Sequence, residues 1–308
     1  MRYTLRQLEI FVTVSRLSSV SKAADLLCLS QSAASTSLGE LEKQFGIKLF
    51  DRIGKSVSLN STGRKVLPQA LELIDRAKEI ESHLSGFAVF GDMHIGATLT
   101  IGNYLTNILA AKFLQNYPES QIKLQVHNTE AIVKKVLSHE LDLGMIEGDC
   151  DHPDLMIQPW VADELVIFSA PDHPLTNRKN ISIDALLNES WVLREKGSGT
   201  RETFDRVFNQ GQNKLNIKLE LEHTEAIKRA VESNVGIGCI SRLALRDELK
   251  AGSLIALDVK NIKLDRYFYF LRSKNKYQTN GVKHFLQMCT DMTDGIQRSD
   301  QINLPLIA

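Results

Sequence analysis

A chain of 308 residues, 43% of them hydrophobic, is long enough for about two domains of ordinary size, each with its own core. Charges at Arg2, Arg6, Glu9 and Arg16 interrupt any apolar signal core, and no stretch reaches the ~18–20 apolar residues of a membrane span. Lys/Arg and Asp/Glu balance at 37 each, yet residues 1–65 hold ten basic and five acidic residues, a net of +5 that leaves −5 for the remainder. A basic head on an acidic body hints at a polyanion partner for the head. Cys28, Cys150, Cys239 and Cys289 are far apart with no Cys-x-x-Cys pair, which reads as a reduced, cytoplasmic protein whose cysteines are small buried hydrophobes. Cys150 beside His152 is the one place where metal or redox chemistry can be imagined.

Residues Leu5–Leu17 read as a helix with Leu5, Leu8, Phe11 and Val12 on one face. Ser19 or Ser21 can cap a short second helix containing Ala23, Ala24, Leu26 and Leu27. Ser30 then starts a third that runs to about Phe45. Its Ala34, Leu38, Leu41 and Phe45 form one apolar stripe, while Gln31, Ser32, Ser35 and Thr36 make the opposite side short and polar. Short amides and hydroxyls can reach base edges or phosphates in a major groove. Two helices with a tight turn, the second ended by Gly46, fit helix-turn-helix docking. Lys48–Phe50 and Ser56–Leu59 can pair around the Gly54-Lys55 turn as a wing, with Arg52 and Lys55 placed for phosphates. The alternative is a three-helix module with a merely solvated polar face.

A long helix follows from Thr62 to about Leu84, with Asn60 as its cap. Val66, Ala70, Leu73, Ala77, Ile80 and Leu84 keep the spacing of a two-helix seam, better suited to a dimer than to burial on one domain. Pro68 is expected to bend its first turns, and Gly86–Asp92 reads as a hinge.

The run from Ser19 to Ser37, with Leu41-Glu42, Gly46, Leu49-Phe50-Asp51-Arg52, Leu59 and Gly63, resembles the LysR-type transcriptional regulators. The resemblance extends over nearly the whole chain. Lys55 stands where the family often has Arg, and Asn60 where Thr is usual; both keep the cation or the cap. The resemblance implies that Gln31, Ser32, Ser35, Thr36 and Arg52 face double-stranded promoter DNA, and Lys55 joins them from its place on the wing. It also implies that the linker helix dimerises, that dimers pair into a homotetramer, and that RNA polymerase is a candidate further partner.

From about His94, strands and helices alternate. Met93–Ala97, Gln121–His127, Asp142–Ile146, Glu164–Ala170, Trp191–Arg194, Ile217–Glu222, Gly236–Ser241 and Arg266–Leu271 read as strands, which predicts parallel α/β sheets. Ligands of such sheets bind beyond the carboxyl ends of the strands. The resemblance sharpens this to two Rossmann-like subdomains with a cleft between them, as in periplasmic binding proteins. The expected division is a winged helix-turn-helix at 1–61, linker helix and hinge at 62–90, subdomains at 91–161 plus 266–297 and at 162–265, and a loose tail at 298–308.

Two loops open helices in this part. Thr98 and Thr100 follow the first strand, and Lys196-Gly197-Ser198-Gly199-Thr200-Arg201 follows Trp191–Arg194. A helix start presents free N–H groups to an anion, glycines allow close backbone approach, and Arg201 could offer a fork-shaped cation. Asn128 and Thr224 occupy corresponding junctions. The plain alternative is caps and tight turns, with Arg201 paired to a carboxylate. The resemblance adds Glu147 to a cleft holding a small anionic effector. Segments such as Gly102-Asn103-Tyr104, Ile146-Glu147-Gly148 and Leu193–Glu202 look like the YeiE-like branch, which points to sulfite or a related sulfur oxyanion, with small organic carboxylates as competitors.

An enzyme is not expected. Ser198 lacks the Gly-x-Ser-x-Gly elbow and an identifiable His/Asp partner, the eight histidines have no metal spacing, and no cofactor-binding fingerprint occurs. A solute-binding protein of a transport system fits the second part, but not the DNA-binding head.

Overall fold

The computed structural model describes residues 2–53, 56–85, 90, 92–208 and 215–302, with backbone alone at 52, 53, 56, 82, 83 and 85. It divides into two compact units, residues 1–91 with 274–283, and residues 92–273 with 284–308.

The first unit opens with α1 (Leu5–Leu17), α2 (Val20–Leu26) and α3 (Gln31–Phe45). Thr4, Ser19 and Ser30 cap them through their hydroxyls, each satisfying a backbone N–H at its helix start. Ile10, Phe11, Val14, Ala23, Ala24 and Ala34 lie at the centre of the core. Leu5 and Phe45 fall outside it, half exposed at the ends of their helices. Gly46 ends α3 in the left-handed conformation at φ 65°, as helix ends favour. Cys28 is likewise left-handed and is exposed, not buried as its residue type suggested.

The wing is an antiparallel pair of β1 (Phe50–Ile53) and β2 (Ser56–Leu59), with Phe50 opposite Leu59 and Ile53 opposite Ser56. The first wing strand therefore starts at Phe50 rather than Lys48. Leu49 is held elsewhere: its N–H donates to the Glu42 carboxylate at 2.8 Å and its carbonyl accepts from Asn60 N–H at 3.1 Å. Gly63 sits against this corner, where a Cβ would come within 2.2 Å of the Leu49 carbonyl oxygen, so the backbone approach requires glycine.

Helix α4 (Ser61–Ser85) runs unbroken through Pro68, and Asn60 caps it by accepting from Gly63 N–H at 2.8 Å. The apolar spacing along α4 divides in two. Val66 and Ala70 pack into the head's own core, whereas Leu73, Ile80 and Leu84 are 40%, 59% and 82% exposed. Of the expected hinge, residues 86–89 and 91 lie outside the described residues.

The second unit is built in chain order from β3 (Asp92–Ala97), α5 (Leu99–Ile101), a π-helical turn at Gly102–Thr106, α6 (Asn107–Asn116), β4 (Gln121–Val126), α7 (Thr129–Leu137) and β5 (Leu143–Glu147). The long β6 (Leu155–Ser169) leads to α8 (Ile183–Leu187), β7 (Ser190–Arg194), α9 (Gly199–Phe208), β8 (Asn216–Leu221), α10 (Thr224–Glu232) and β9 (Ile237–Ser241). Then come α11 (Arg246–Ala251), β10 (Ile255–Ala256), β11 (Asp265–Ser273) and α12 (Asn280–Met292), whose first four residues are counted with the first unit.

One continuous sheet runs in the order β4-β3-β5-β11-β6-β9-β7-β8, with β10 paired to β6. Its two outer parts are parallel, β3 with β4 and β5, and β7 with β8 and β9. The centre is antiparallel: β11 pairs with β5 and β6, and β6 with β9. The sheet is therefore mixed rather than wholly parallel. Strands β6 and β11 are the two passages between a β4-β3-β5 lobe and a β9-β7-β8 lobe, and two opposite passages must run antiparallel. The strand expected at Glu164 begins at Leu155. Pro159, which removes a ladder donor, and a register shift opposite Phe268 and Tyr269 obscure its first half in the sequence. Trp160 fills that irregularity by stacking on Phe270, with centroids 4.9 Å apart.

The end of the described chain is docked, not loose. Ser299–Gln301 forms a 3-10 turn, Arg298 bridges to Ala162, and Ser299 and Ile302 are buried. Residues 303–308 lie outside the described residues. No helix among the described residues is long and apolar enough to cross a membrane.

Candidate functional site

In the head, α3 turns Gln31, Ser32, Ser35 and Thr36 outward, while Ala34, Leu38 and Leu41 anchor its other side. Gly39 shares the exposed face, following Ser32 by seven residues and Ser35 by four, and nothing lies within 4 Å of its missing Cβ. A glycine inside an amphipathic helix is itself a signal in the sequence. Arg52 lies on β1, and Lys55 lies outside the described residues.

In the body, the junction residues gather where the two lobes meet. Asn103, His127, Asn128, Glu195, Glu222 and His223 line a cleft of about 340 Å³. Of the predicted effector residues only Asn128 lines this cleft; Thr98, Thr100, Ser198, Thr200 and Thr224 are buried and are not part of its lining, although Thr98, Thr100 and Thr224 are chain neighbours of the lining residues Leu99 and His223. Asn128 caps α7 by accepting from Ala131 N–H at 3.1 Å, and Gly197 adopts a left-handed φ of 85°.

The hydroxyls differ in occupation. Among the described residues, Thr98 Oγ1, Ser198 Oγ and Thr224 Oγ1 are buried without a hydrogen-bond partner. Thr98 is the N-cap residue of α5, yet its side chain makes no capping bond, unlike Thr4, Ser19, Ser30 and Asn128. A buried hydroxyl left unpaired costs about 1–3 kcal/mol, so each of the three is an expense that folding alone does not explain. Thr200 is different again: Arg266 Nη1 donates to its oxygen at 2.9 Å, which leaves the hydroxyl proton free to be given.

Arg201 does not supply a free cation. Its Nε sits 3.0 Å from both Asp205 carboxylate oxygens, and its Nη1 donates at 2.9 Å to Glu220 and to the Arg194 carbonyl. It ties α9 to β7 and β8, which is the paired-carboxylate alternative. The glycines serve packing between lobes: a Cβ on Gly199 would come within 1.9 Å of the Glu147 carbonyl oxygen, and Gly199 N–H donates to Thr129 Oγ1 at 3.1 Å.

Glu147 is buried and faces Arg266, not the cleft as a free carboxylate. Arg266 Nη2 lies 2.9 Å from Glu147, and Nε lies 2.7 Å from Asp163. Burial alone would lower the Arg266 pKa, but the two carboxylates hold it above its ordinary value. Arg266 was legible in part: it falls in phase with Phe268 and Phe270 on β11, where a charge facing inward needs partners.

A second polar link joins the two lobes. Tyr104, on the π-helical turn of one lobe, donates to Glu225 of the other at 2.5 Å. Lys228 pairs with Glu225 at 2.7 Å and Glu248 at 2.6 Å, and donates to Tyr104 at 3.3 Å. Burial and the hydrogen bond to Glu225 both push the Tyr104 phenol up, so it is a donor at neutral pH. The sequence carried a hint in the repeated Thr-Glu-Ala-Ile of residues 129–132 and 224–227. Cys150, the suggested reactive thiol, is pushed up by burial, Asp151 and Glu202, and no metal-holding cluster occurs among the described residues.

A winged helix-turn-helix head and a long helix, with a two-lobed α/β body around a polar cleft, define a ligand-responsive DNA-binding regulator. Residues 5–64 match the bacterial regulatory helix-turn-helix protein, lysR family, and residues 89–294 match the LysR substrate binding domain. The chain belongs to the LysR family of transcriptional regulators. It is 39% identical to the HTH-type transcriptional regulator YeiE of Escherichia coli (strain K12) over 94% of this chain and 98% of that one. Its body resembles the Synechocystis PCC6803 CcmR regulatory domain in complex with 2-PG, at 30% identity and a TM-score of 0.63, over 67% of this chain and 99% of that one. A full-length OxyR from Pseudomonas aeruginosa, a cysteine-to-aspartate variant, has the same fold, at 20% identity and a TM-score of 0.73, over 94% of each chain.

Proposed function

We propose that this regulator responds to a small oxyanion, with sulfite or a related sulfur oxyanion first, held between its lobes by Thr98, Thr100, Ser198, Thr200 and Thr224. The observation that carries this reading is the set of buried, unpartnered hydroxyls of Thr98, Ser198 and Thr224. Hydroxyls can donate to a ligand that only accepts, and Thr200 is prepared for the same role by Arg266. The two buried arginines, Arg201 and Arg266, are committed to carboxylates, so dipoles and helix starts are left to meet the ligand's charge. The segments 91–161 plus 266–297 and 162–265 are the bodies whose relative closure the ligand favours, because a ligand shifts only a balance between states it binds unequally.

A small organic anion is the second reading, favoured by the CcmR regulatory domain's complex with 2-PG. On the DNA side, Gln31, Ser32, Ser35, Thr36, Arg52 and Lys55 meet promoter DNA. The exposed Leu73, Ile80 and Leu84 of α4 pair two copies, and two such dimers form the tetramer.

The test is a thermal-shift screen of the full chain against sulfite, sulfate, phosphate and small carboxylates. A ligand at about 100 times its Kd should add roughly 2.7 kcal/mol, a shift on the order of 5–10 °C for a body of this size. A response to sulfite supports the first reading, a response to carboxylates alone the second, and no response to any anion removes both.

A further inference from the structure

The last described residues reach the effector loop through an unbroken line of buried polar contacts. Ser299, fully buried, donates to Asp163 Oδ1 at 2.5 Å. Ser241 donates to the same oxygen at 2.7 Å. The other Asp163 oxygen takes Arg266 Nε at 2.7 Å, and Arg266 Nη1 donates to Thr200 at 2.9 Å. Asp163 lies where β6 passes from its pairing with β11 to its pairing with β9, the place where the two lobes join. The segment is fastened beside it by Arg298 on Glu164 at 2.9 Å, the bridge of Arg298 to Ala162, and Arg246 donating to the Ile302 carbonyl at 3.0 Å.

We propose that the segment Arg298–Ile302 is a clamp on the lobe junction, and that Ser299 is a positioning residue for the effector loop, acting through Asp163 and Arg266 on Thr200. Asp163 carries one negative charge and accepts from three donors. With all three present its carboxylate has a single orientation, and so does the guanidinium that grips it in the fixed geometry of its fork. That guanidinium aims Nη1 at Thr200, leaving the Thr200 proton pointed away from the strand. Without Ser299 the Asp163 carboxylate keeps Ser241 and Arg266 but loses one of the two donors on Oδ1, so its hold on Arg266, and through it on Thr200 in the loop opening α9, slackens. The polar network spans both passages between the lobes, so its order is felt where the lobes close. This inference rests on the cleft being the effector site.

The experiment uses the full chain in three forms, wild type, Ser299→Ala and a chain ended after Gln297. Amide hydrogen exchange without ligand, sulfite titration by calorimetry and DNA retardation without sulfite are measured on each. Both variants are expected to speed exchange at residues 199–203 about tenfold, the effect of losing one hydrogen bond to a charged group. Exchange in α7 and DNA retardation should stay at wild-type values, and sulfite affinity should fall about tenfold. Unchanged exchange at residues 199–203 overturns the proposal. So does a uniform rise through the body with a matching fall in Tm, because that marks general loosening. If sulfite fails to bind wild type, the sulfite reading fails while the exchange measurement still decides the clamp.

Discussion

Thr129 and Thr224 stand at equivalent places, each opening a helix with Thr-Glu-Ala-Ile after a parallel edge strand, yet only Thr129 has its hydroxyl engaged. Thr129 accepts from Gly199 N–H at 3.1 Å and faces the Glu147 carbonyl at 3.4 Å, so one lobe rests directly on the other. Thr224 is buried, and its hydroxyl has no hydrogen-bond partner among the described residues. On one side the motif ties the lobes through its threonine, and on the other through its glutamate, Glu225, held by Tyr104.

Thr224→Val should therefore raise the unfolding free energy of the unliganded protein by about 1 kcal/mol, since it removes a buried hydroxyl without stranding a partner. Thr129→Val should lower it by about 1–3 kcal/mol, because it strands Gly199 N–H. Urea unfolding of the two variants checks the difference. A loss in Thr224→Val as large as in Thr129→Val would mean that the Thr224 hydroxyl is satisfied, and the cleft reading would lose its main support.

Gly39 offers a test of the DNA face that needs no ligand. Its Cβ position is open, so Gly39→Ala should stabilise α3 by about 0.8–1 kcal/mol. The added methyl stands among Ser32, Ser35 and Thr36, so it should weaken retardation of promoter DNA at a fixed, stated salt concentration. Stronger folding with unchanged DNA affinity would turn this face away from the groove.

The head was almost fully legible in the sequence, because its helices are amphipathic and their caps are local. Thr4, Ser19, Ser30 and Asn60 act within three residues of themselves. In the body, the junction threonines were legible as strand-to-helix starts. The pairing of Arg201 with Asp205, four residues on along the same helix, was legible as an alternative, whereas its bonds to Glu220 and the Arg194 carbonyl were not, because only the fold brings those strands close. The centre of the sheet was lost for the same reason. Pairing of β6 with β11 joins residues about a hundred apart, and alternation of strands and helices carries no sign of it. The docked Ser299 depends on Asp163, 136 residues away, and a polar tail sequence looks alike whether solvated or clamped.

The link between Tyr104, Glu225 and Lys228 predicts a pH dependence. Burial alone would raise the Glu225 pKa, but hydrogen bonds from Lys228 and Tyr104 and the Lys228 charge bring it below its ordinary value. A carboxyl depressed by folding stabilises the folded state above its unfolded pKa, and that stabilisation is lost as pH falls through the lower, folded one. The Tm difference between wild type and Glu225→Gln should be constant from about pH 6 to pH 8 and shrink below about pH 4.3. A difference that instead grows as pH falls would mean that the carboxyl is engaged in its protonated form.

Arg266 joins stability to response, and the two can be separated. Glu147 and Asp163 are buried to within 1% and 2% of complete coverage, so Arg266→Met would strand two buried carboxylates without their cation. Breaking a buried pair from one side costs about 3–5 kcal/mol, and two carboxylates are stranded here, so unfolding in urea should show at least that loss. Arg266→Lys keeps the charge but cannot place three donors on Asp163, Glu147 and Thr200 at once. It should recover most of the stability and little of the anion response. Thr200→Val removes only the far end of the network and should lose the response with a stability change near 1 kcal/mol. If Arg266→Lys responds to the anion as wild type does, the fork that aims Thr200 is dispensable, and Arg266 is an ion-pair partner alone.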